Sequence, residues 1–478
     1  MTESTKPHVA FLPSLGVGIL TPHLELAKLL VNHHGFQVTF FYITTDASPA
    51  QNNLINSADL PPDLHIVHLP PLDLSAVITL QTRVLTRFSL NVQENLPHIK
   101  TLLIQLIPKP QALIIDVFCT QALDFQESLP NVPIFTFATA SAHFLAFSLF
   151  LPQLDRDVVE GQLVDLPGPV QVPGCQTIRP QDLIDQATDR NNDEYKWYLY
   201  HFKRVSKSAG IIMNTWQDLE PVTLNALREH PFYRNIHTPP IYPIGPIVKE
   251  TEPITETGSE CLTWLDKQPT GSVLFVSLGS RGVLSAEQQT EFAWGLELSG
   301  QRFLWVVRAP SDISSATLYN VGGVGSHVQW GLPEGFVERT RGRGMVVGPW
   351  APQVSVLRNT STGAFVSHCG WNSTLESVAY GLPMIAWPLY SEQRMNAAMV
   401  AEVLGVGVRM EGEGGVVGRK EIERVVRMVL EGEEGRRLRQ RAIDLGESSV
   451  KALRLGGDSC LAWAALANQL NGQCNEAP

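Results

Sequence analysis

One stretch of the chain, residues 350–393, gathers side chains that suit a single kind of ligand. Its candidate groups are, in chain order, Trp350, His368, Asn372, Ser373, Glu376, Glu392 and Gln393. An indole can stack on a flat base, while an imidazole, an amide and a hydroxyl can donate hydrogen bonds to phosphate. The carboxylate of Glu376 can accept hydrogen bonds from ribose, and Glu392 and Gln393 can bind the hydroxyls of a hexose. The stretch therefore predicts a nucleotide-sugar site.

The backbone around this stretch is predicted to supply a binding element of its own. The strand-like residues Gly363–Ser367 are followed by Gly370–Ser373, which opens a helix-period segment. The first turn of a helix presents free N–H groups and partial positive charge, which suit a pyrophosphate. Such donors can stabilise a leaving nucleoside diphosphate without a metal ion. Since the sequence shows no acidic cluster there to hold Mg²⁺, we expect no metal and no cofactor.

Short apolar runs alternate with helix-period segments along the chain, which predicts parallel sheets covered by helices. Runs such as Ala112–Ile115 are apolar on both faces, as strands buried in a parallel sheet are. The first half has strand candidates at His8–Pro13, Gln37–Ile43, Leu64–Leu69, Ala112–Asp116, Pro133–Phe137 and Gly210–Asn214. The second half has them at Ser272–Ser277, Phe303–Val307, Met345–Val347, Gly363–Ser367, Met384–Trp387 and Val406–Met410. The predicted fold class is α/β, with two doubly wound domains facing a cleft.

The alternation breaks near the middle of the chain. The segment Pro239–Pro246 is too rich in proline for a helix or an inner strand, and the polar segment Lys249–Glu260 follows it. The predicted domains are 1–246, a linker 247–260, a second domain 261–456 and a C-terminal helix in 457–478 that returns towards the first domain.

Composition limits the kinds of partner. The formal net charge of −11 argues against a surface for nucleic acid or for an anionic membrane. No apolar run is long enough to span a bilayer, and the polar start shows no targeting signal. The six cysteines form no close pairs, which is typical of reduced thiols. We expect a cytoplasmic monomer whose partners are small molecules.

The candidate stretch resembles the signature box of the plant family-1 UDP-sugar glycosyltransferases. The likeness lies in the opening Trp-Ala-Pro-Gln at 350–353, the central His-Cys-Gly-Trp-Asn-Ser at 368–373 and the closing Glu-Gln at 392–393. Further segments such as Val276–Ser280 extend the resemblance over essentially the whole chain. Residues 189–204 most resemble the branch that glucosylates simple phenols and monolignols. The resemblance implies the GT-B fold, which has two Rossmann-like domains.

The resemblance also implies roles for individual residues. Trp350 would stack on uracil, Gln353 would bind the uracil edge, Glu376 would hold the ribose and His368 would contact the α-phosphate. Phosphate contacts would come from Ser277, Asn372 and Ser373, and sugar contacts from Trp371, Glu392 and Gln393, with Ala351 also in the UDP-sugar site and Thr139 near the sugar. A terminal glutamine in the box is similar to that of glucose users, so UDP-glucose is the expected co-substrate.

The catalytic dyad of that family is incomplete in this chain. Its general base is a histidine directly after the Gly16–Gly18 segment, where this sequence has Ile19, while the orienting aspartate is present as Asp116. A positioned base typically contributes about 10²–10⁴-fold to a rate. Isoleucine cannot take a proton, so either the acceptor ionises unaided or another group takes the proton. The candidate groups are His23, one helical turn beyond Ile19, His143, and Asp116 acting through water.

These observations predict an inverting UDP-glucose-dependent glucosyltransferase that forms a β-O-glucoside of a flavonoid or a simple phenol. The predicted acceptor pocket comprises Leu15, Gly16, Phe118, His143, Phe144 and Tyr390. Their largely apolar character suits aromatic rings.

Three alternatives remain open at this point. An acidic polyphenol that ionises without a base carries negative charge on ring carbon, which would allow C-glucosylation. The missing histidine is also compatible with a non-catalytic UDP-sugar-binding protein. The glycines Gly16 and Gly18 suggest a nicotinamide oxidoreductase, but this prediction is weak because Thr21 stands where the third glycine would be.

Overall fold

The computed structural model describes residues 6–57, 59–250, 252, 254–311, 331–410, 412 and 415–471. The chain forms two units. The first unit comprises Met1–Val248 together with Ser449–Pro478, and the second comprises Lys249–Ser448. The change of unit after Val248 falls within the segment that the sequence predicts as a linker.

A seven-stranded parallel sheet forms the centre of the first unit within the described residues. Its strands are β1 (His8–Leu12), β2 (Gln37–Tyr42), β3 (Leu64–His68), β4 (Ala112–Asp116), β5 (Ile134–Ala138), β6 (Gly210–Met213) and β7 (Ile241–Pro243). Their spatial order is β3-β2-β1-β4-β5-β6-β7, and every neighbouring pair is parallel. The strand order reverses between β1 and β4, and such switch points are where open α/β sheets bind ligands.

Helices cover this sheet. They are α1 (Val17–His34), α2 (Pro49–Ser57), α3 (Val84–Gln105), α4 (Ala142–Asp157), α5 (Asp193–Arg204), α6 (Pro221–Glu229) and α7 (Pro231–Asn235). Helix α1 places Leu20, Leu24 and Ala27 on one face because they lie three or four residues apart. That face packs into a buried core with Phe11 of β1 and Phe137 of β5.

A six-stranded parallel sheet forms the centre of the second unit within the described residues. Its strands are β8 (Val273–Ser277), β9 (Arg302–Val306), β10 (Gly344–Val347), β11 (Thr362–Ser367), β12 (Met384–Ala386) and β13 (Gly407–Arg409), in the spatial order β10-β9-β8-β11-β12-β13. Successive β8 residues enter different cores: Leu274 and Val276 belong to one, and Val273 and Phe275 to the other. Both faces of the sheet are therefore buried, and its switch point lies between β8 and β11.

The helices that follow in the chain are α8 (Glu256–Leu265), α9 (Ala286–Ser299), α10 (Phe336–Arg339), α11 (Gln353–Arg358), α12 (Trp371–Ala379), α13 (Gln393–Ala398), α14 (Arg419–Glu431) and α15 (Glu433–Leu453). Helix α8 begins inside the range predicted as linker. Among the described residues, no helix combines the length and the apolar character needed to cross a membrane.

The last described helix, α16 (Asp458–Leu470), belongs to the first unit. Its Trp463 Nε1 donates a hydrogen bond to the Ile244 carbonyl at 2.9 Å, and Ser459 Oγ donates to the Gly245 carbonyl at 2.6 Å. The Trp463 and Leu466 side chains are buried in the same core as α1. The helix thus lies within the predicted range 457–478 and packs within the first unit.

The predicted strands are confirmed, each shifted by no more than one residue at either end. The sequence analysis missed β7, because its segment is rich in proline. Strand β7 lies at the edge of the sheet, where a proline such as Pro243 leaves no inner hydrogen bond unmade. The predicted class of two doubly wound α/β domains is confirmed.

Candidate active site

The carboxyl ends of β8 and β11 lie side by side at the switch point of the second sheet. Ser277 and Ser367, the last residues of these strands, are register partners. His368 follows directly and is buried. A Cβ atom at Gly279 or at Gly370 would come within 2.5 Å of His368 Nε2, so glycine is needed at both positions. The structure thus brings the predicted phosphate-binding residues Ser277 and His368 to one place.

Helix α12 begins at this same place. Its N-cap is Gly370, and the preceding Cys369 has a φ of 62°. The turn is held by a hydrogen bond from the Cys369 N–H to Ser367 Oγ (3.1 Å) and by one from Asn396 Nδ2 to the Cys369 carbonyl (2.9 Å). The first turn of α12 therefore lies beside His368, and its N–H groups point towards a place that can receive an anion.

His368 is electrically neutral at ordinary pH. Burial, and after it the charges of Arg308 and Arg281, lower its pKa to about 4. Its Nδ1 atom is buried and has no hydrogen-bond partner among the described residues. A neutral imidazole has one N–H group, which can donate a hydrogen bond to a phosphate oxygen.

Gln353, Ser373 and Glu376 form a hydrogen-bonded group. Gln353 Nε2 donates to Ser373 Oγ at 2.9 Å and to Glu376 Oε2 at 2.6 Å. Burial raises the pKa of Glu376 to about 7; the hydrogen bond from Gln353 lowers it and the charge of Glu252 raises it. The group combines a nearly buried carboxyl acceptor with an oriented amide, as binding of a nucleoside requires.

The aromatic residue at the start of the box is exposed. Trp350 exposes 47% of its surface, while Ala351 next to it is buried. The second tryptophan, Trp371, is only 2% exposed at the start of α12. An indole open to solvent can receive a stacked base, whereas Trp371 has most of its surface committed to packing. Asn372, in the same turn of α12, is half-buried.

The closing Glu-Gln of the box forms the start of α13. Glu392 is its N-cap, and Gln393 is its first residue. Gln393 Oε1 accepts hydrogen bonds from the N–H groups of Leu389 (2.9 Å) and Tyr390 (3.1 Å). The side-chain amide oxygen of Gln393 therefore holds the backbone of this loop in place. The Tyr390 ring, predicted for the acceptor pocket, lies under the Arg281 guanidinium at 4.5 Å.

At the switch point of the first sheet, Asp116 ends β4. Its Oδ1 accepts hydrogen bonds from Ser14 Oγ at 2.7 Å and from the Phe118 N–H at 3.0 Å, while Oδ2 has no partner among the described residues. Burial raises the pKa of Asp116 to about 6, although these hydrogen bonds lower it. The predicted carboxylate is thus fixed in position and keeps one free oxygen.

His23 is fully buried beneath the start of α1. Its Nδ1 lies 2.8 Å from the Ile19 carbonyl, which can only accept, so Nδ1 carries the proton. Its Nε2 has no partner among the described residues, and its ring packs edge-on against Phe137 with centroids 4.8 Å apart. Burial lowers the pKa of His23 to about 4. Ile19 itself is half-buried. His23 has no route to solvent in this conformation.

Two of the five predicted acceptor residues of the first unit, Phe118 and Phe144, belong to one aromatic cluster. Phe118 and Phe144 both contact Tyr198 and Phe202 of α5, at ring-centroid distances of 5.8 to 6.4 Å. The other three lie in the loop after β1 or at the start of α4: buried Leu15, Gly16 with a φ of 109° and buried His143. Thr139, predicted to lie near the sugar, is half-buried in the loop after β5.

Glu220 secures the beginning of α4. Its carboxylate accepts hydrogen bonds from the N–H groups of Ala142 (2.9 Å) and His143 (3.0 Å). Burial lowers the pKa of His143 to about 4. The His143 side chain makes no hydrogen bond within the described part of the chain. His143 is therefore a neutral ring in a fixed backbone position.

Three residues that hold or contact candidate site residues were not identified in the sequence analysis. Ser14 holds Asp116, Glu220 caps α4, and Arg281 lies over Tyr390. Ser14 directly follows a predicted strand end, and Arg281 follows Gly279-Ser280 in the loop after another, so both positions carried a signal. Glu220 had no such signal, because its partners lie 77 and 78 residues earlier.

No group of three or more histidine, cysteine, aspartate or glutamate side chains that could hold a metal ion occurs in the described ranges. The cysteines at 119, 175, 261, 369 and 460 are free thiols.

Comparisons with known proteins show what this chain is similar to. A family model described as UDP-glucoronosyl and UDP-glucosyl transferase matches residues 239–437. UDP-glycosyltransferase 72B3 of Arabidopsis thaliana is 44% identical over 467 residues, which are 96% of this chain and 95% of that protein. Hydroquinone glucosyltransferase of Rauvolfia serpentina is 43% identical over 469 residues, 96% of this chain and 97% of that protein.

A solved structure is similar over the same extent. UGT2 of Phytolacca americana, complexed with UDP-2fluoro-glucose and pterostilbene, is 38% identical to this chain, with a TM-score of 0.86. The match covers 98% of this chain and 100% of that chain. Identity at this level over nearly the full length of both chains shows the family. The chain belongs to the plant family-1 UDP-dependent glycosyltransferases, enzymes that take a UDP-sugar as co-substrate.

Proposed function

We propose that this enzyme transfers glucose from UDP-glucose to a phenolic hydroxyl with inversion, giving a β-O-glucoside. The observation that carries the proposal is the grouping of Ser277, His368 and the first turn of α12 at one switch point. The Gln353–Glu376 pair adds the groups that a nucleoside needs. Hydroquinone and pterostilbene, named for relatives of this chain, are both phenols.

The donor is bound by the second unit. Trp350 stacks on uracil, Gln353 binds the uracil edge and Glu376 holds the ribose hydroxyls. Ser277, His368, Asn372 and Ser373 bind the phosphates, with Ala351 beside them in the site. Trp371, Glu392 and Gln393 contact the sugar. Hydrogen-bond donors at the phosphates stabilise the charge that UDP takes up as it leaves.

The acceptor is bound by the first unit, where Phe118 and Phe144 offer aromatic faces. Leu15, Gly16 and His143 are assigned to the same pocket of the first unit. The phenol oxygen attacks C1 of glucose on the face opposite UDP. As that bond forms, the bond from C1 to the phosphate oxygen breaks, and UDP leaves with its electron pair.

The proton of the acceptor has two routes. A phenol with a pKa near 10 is only about 0.1% ionised at pH 7, whereas one near 7 is about half ionised, a gain of roughly 500-fold. This gain is within the range that a general base supplies. In the other route, the free Oδ2 of Asp116 takes the proton through a water molecule. Burial of His23 argues against a third route through that residue.

Ile19 gives specific support to a second candidate reaction, C-glucosylation. A polyphenolate carries negative charge on the ring carbons ortho and para to its oxygen, and no base is needed to make that carbon nucleophilic. Apolar Ile19 leaves this route open. In both reactions the donor, the leaving group and the face of attack are the same.

The test is an assay of the purified enzyme with UDP-glucose and phenols graded by pKa from about 7 to about 10. Products are identified by mass spectrometry and then treated with hot acid, which cleaves O-glucosides but leaves C-glucosides intact. We expect acid-labile monoglucosides, formed fastest from the most acidic phenols. Acid-stable products would replace the lead proposal with C-glucosylation. Binding of UDP by calorimetry without any product would indicate a non-catalytic binder.

A further inference from the structure

Arg281 is a cation without an anionic partner. It is half-buried in the loop after β8, and its guanidinium carbon lies 4.5 Å above the centre of the Tyr390 ring. Among the described residues, no carboxylate forms an ion pair with it and no acceptor takes a hydrogen bond from it. An arginine offers five N–H donors in a planar fork that matches phosphate and carboxylate. These donors are available to a ligand.

The loop that carries Arg281 is fixed against the candidate phosphate site. Gly279, two residues earlier, is close enough to His368 that a Cβ there would lie 2.5 Å from His368 Nε2. Arg308 donates hydrogen bonds to the Gly282 carbonyl at 3.2 Å and to the Pro349 carbonyl at 3.1 Å. The loop is thus tied on one side to the imidazole and on the other to the residue before Trp350.

A second observation points to an anion at this place. His368 has a buried Nδ1 without a partner among the described residues, and the two cations Arg281 and Arg308 are near enough to lower its pKa. Two cations, a neutral imidazole and the first turn of α12 make the place electropositive in a chain of net charge −11. An anion that binds there can accept charge-assisted hydrogen bonds from Arg281, which has no other acceptor among the described residues.

We propose that Arg281 binds the diphosphate of the UDP-sugar and stabilises UDP as it leaves. This inference rests on the proposed function and adds a catalytic residue to it. When the bond between C1 and the phosphate oxygen breaks, the electron pair stays on that oxygen, and the Arg281 N–H groups donate to the phosphate that carries it. The ring of Tyr390 holds the guanidinium in place before the donor arrives. Improved departure of UDP would offset part of the loss that Ile19 causes.

The test compares Arg281→Gln and Arg281→Lys with the unaltered enzyme. Arg437→Gln serves as the matched control, because Arg437 is an exposed arginine of the same unit that pairs with Glu434. The measurements are kcat and KM with UDP-glucose and an acidic phenol, and inhibition constants for UDP and for uridine. Thermal unfolding checks that each variant is folded.

For Arg281→Gln we expect UDP to inhibit about 10- to 100-fold more weakly and kcat to fall by about the same factor, while uridine inhibition stays within about 2-fold. Arg281→Lys should fall between, since lysine keeps the charge but not the planar fork. Arg437→Gln should leave every constant unchanged. Equal losses for UDP and uridine, or an unchanged UDP constant in a folded variant, would overturn the proposal.

A second donor distinguishes the two anions that an arginine could bind. If Arg281→Gln slows transfer from UDP-glucuronic acid but leaves that from UDP-glucose unchanged, Arg281 binds a carboxylate on the sugar and the diphosphate proposal is wrong. If the unaltered enzyme transfers no sugar at all, the proposed function fails. Calorimetry of UDP on the Arg281→Gln variant would then still decide whether Arg281 binds the diphosphate.

Discussion

Ser14 Oγ donates a hydrogen bond to Oδ1 of Asp116 at 2.7 Å, and this bond joins the residues that follow β1 and end β4. The other carboxylate oxygen, Oδ2, has no partner among the described residues. An imidazole N–H at Oδ2 would complete the pair that the family resemblance implies. The chain therefore has the aspartate that the resemblance implies as the orienting half of a dyad, and an isoleucine where it implies the histidine.

Restoring the imidazole should restore general-base catalysis. We expect Ile19→His to raise kcat/KM on phenols with a pKa near 10 by about 10-fold or more, because a positioned base contributes about 10²–10⁴-fold. Phenols with a pKa near 7 should gain little, since they are already half ionised. Steady-state kinetics on the graded panel measures both. Ile19→Leu is the control, and an equal gain with leucine would show that shape, not basicity, is responsible.

His23 should matter for stability and not for proton transfer. Its replacement by glutamine removes the packing against Phe137 and the hydrogen bond to the Ile19 carbonyl. We expect His23→Gln to lower Tm, while kcat/KM on acidic phenols stays within about 3-fold for protein that remains folded. Calorimetry and kinetics on the same preparation test this. A loss of activity of 100-fold or more at an unchanged Tm would identify His23 as the base.

The pH profile should separate the two routes of the acceptor proton. Burial raises the pKa of Asp116 to about 6, and only the ionised carboxylate can take a proton. If Asp116 acts through water, kcat/KM should fall as the pH drops through about 6 for every acceptor. If the acceptor ionises unaided, the midpoint should follow the pKa of each phenol and should persist in Asp116→Asn. A midpoint near 6 that Asp116→Asn abolishes would contradict spontaneous ionisation.

Trp350 should contribute to donor affinity with little effect on stability. Its ring is 47% exposed, so its removal leaves only a small cavity. Stacking on a base is worth about 1–3 kcal/mol, so Trp350→Ala should weaken UDP binding by about 5- to 150-fold. Titration calorimetry measures the affinity. Trp294→Ala is the control, because Trp294 packs under Arg339 and Arg419 in the same unit. Equal losses in the two variants would mean that neither indole is specific.

Glu376 should make the free enzyme less stable as the pH rises. Burial raises its pKa from 4.5 to about 7, so its favourable contribution is fully present below 4.5 and is lost as the pH rises through 7. Glutamine cannot ionise and can still accept the hydrogen bond from Gln353. Relative to the unaltered enzyme, Glu376→Gln should therefore gain up to about 3 kcal/mol between pH 5 and pH 8.

Thermal unfolding at the two pH values, without UDP, measures this change. Glu434→Gln is the control, because Glu434 is an exposed carboxylate paired with Arg437 on α15. A Tm difference between Glu376→Gln and the unaltered enzyme that does not depend on pH would show that Glu376 ionises normally.

The fold could be predicted from the sequence because parallel strands carry a strong local signal. Ala112–Ile115 is apolar on both faces, and the observed β4 (Ala112–Asp116) has the predicted bounds. Strand β7 could not be found in this way, because prolines suppress the local signal and its place at the sheet edge depends on β6. Edge strands are specified by their partner more than by their own residues.

The sequence indicated many residues of the candidate site but not the contacts between them. Gln353 and Glu376 are both implied by the signature box, yet the hydrogen bond between them joins residues 23 positions apart on different helices. Arg281 and Tyr390 lie even farther apart in the sequence, and only the completed sheet brings them together. Sequence spacing describes neighbours within one element, whereas these contacts arise from the order of strands.

The anchoring of α16 has a consequence for synthesis of the chain. Trp463, Leu466, Ala467 and Leu470 complete a core whose other buried members all lie before position 250. A ribosome therefore releases all of the second unit before it releases the helix that finishes the first. The amino-terminal half must wait with apolar surface uncovered while the middle of the chain is still being made, so its folding in the cell is completed last although its translation begins first.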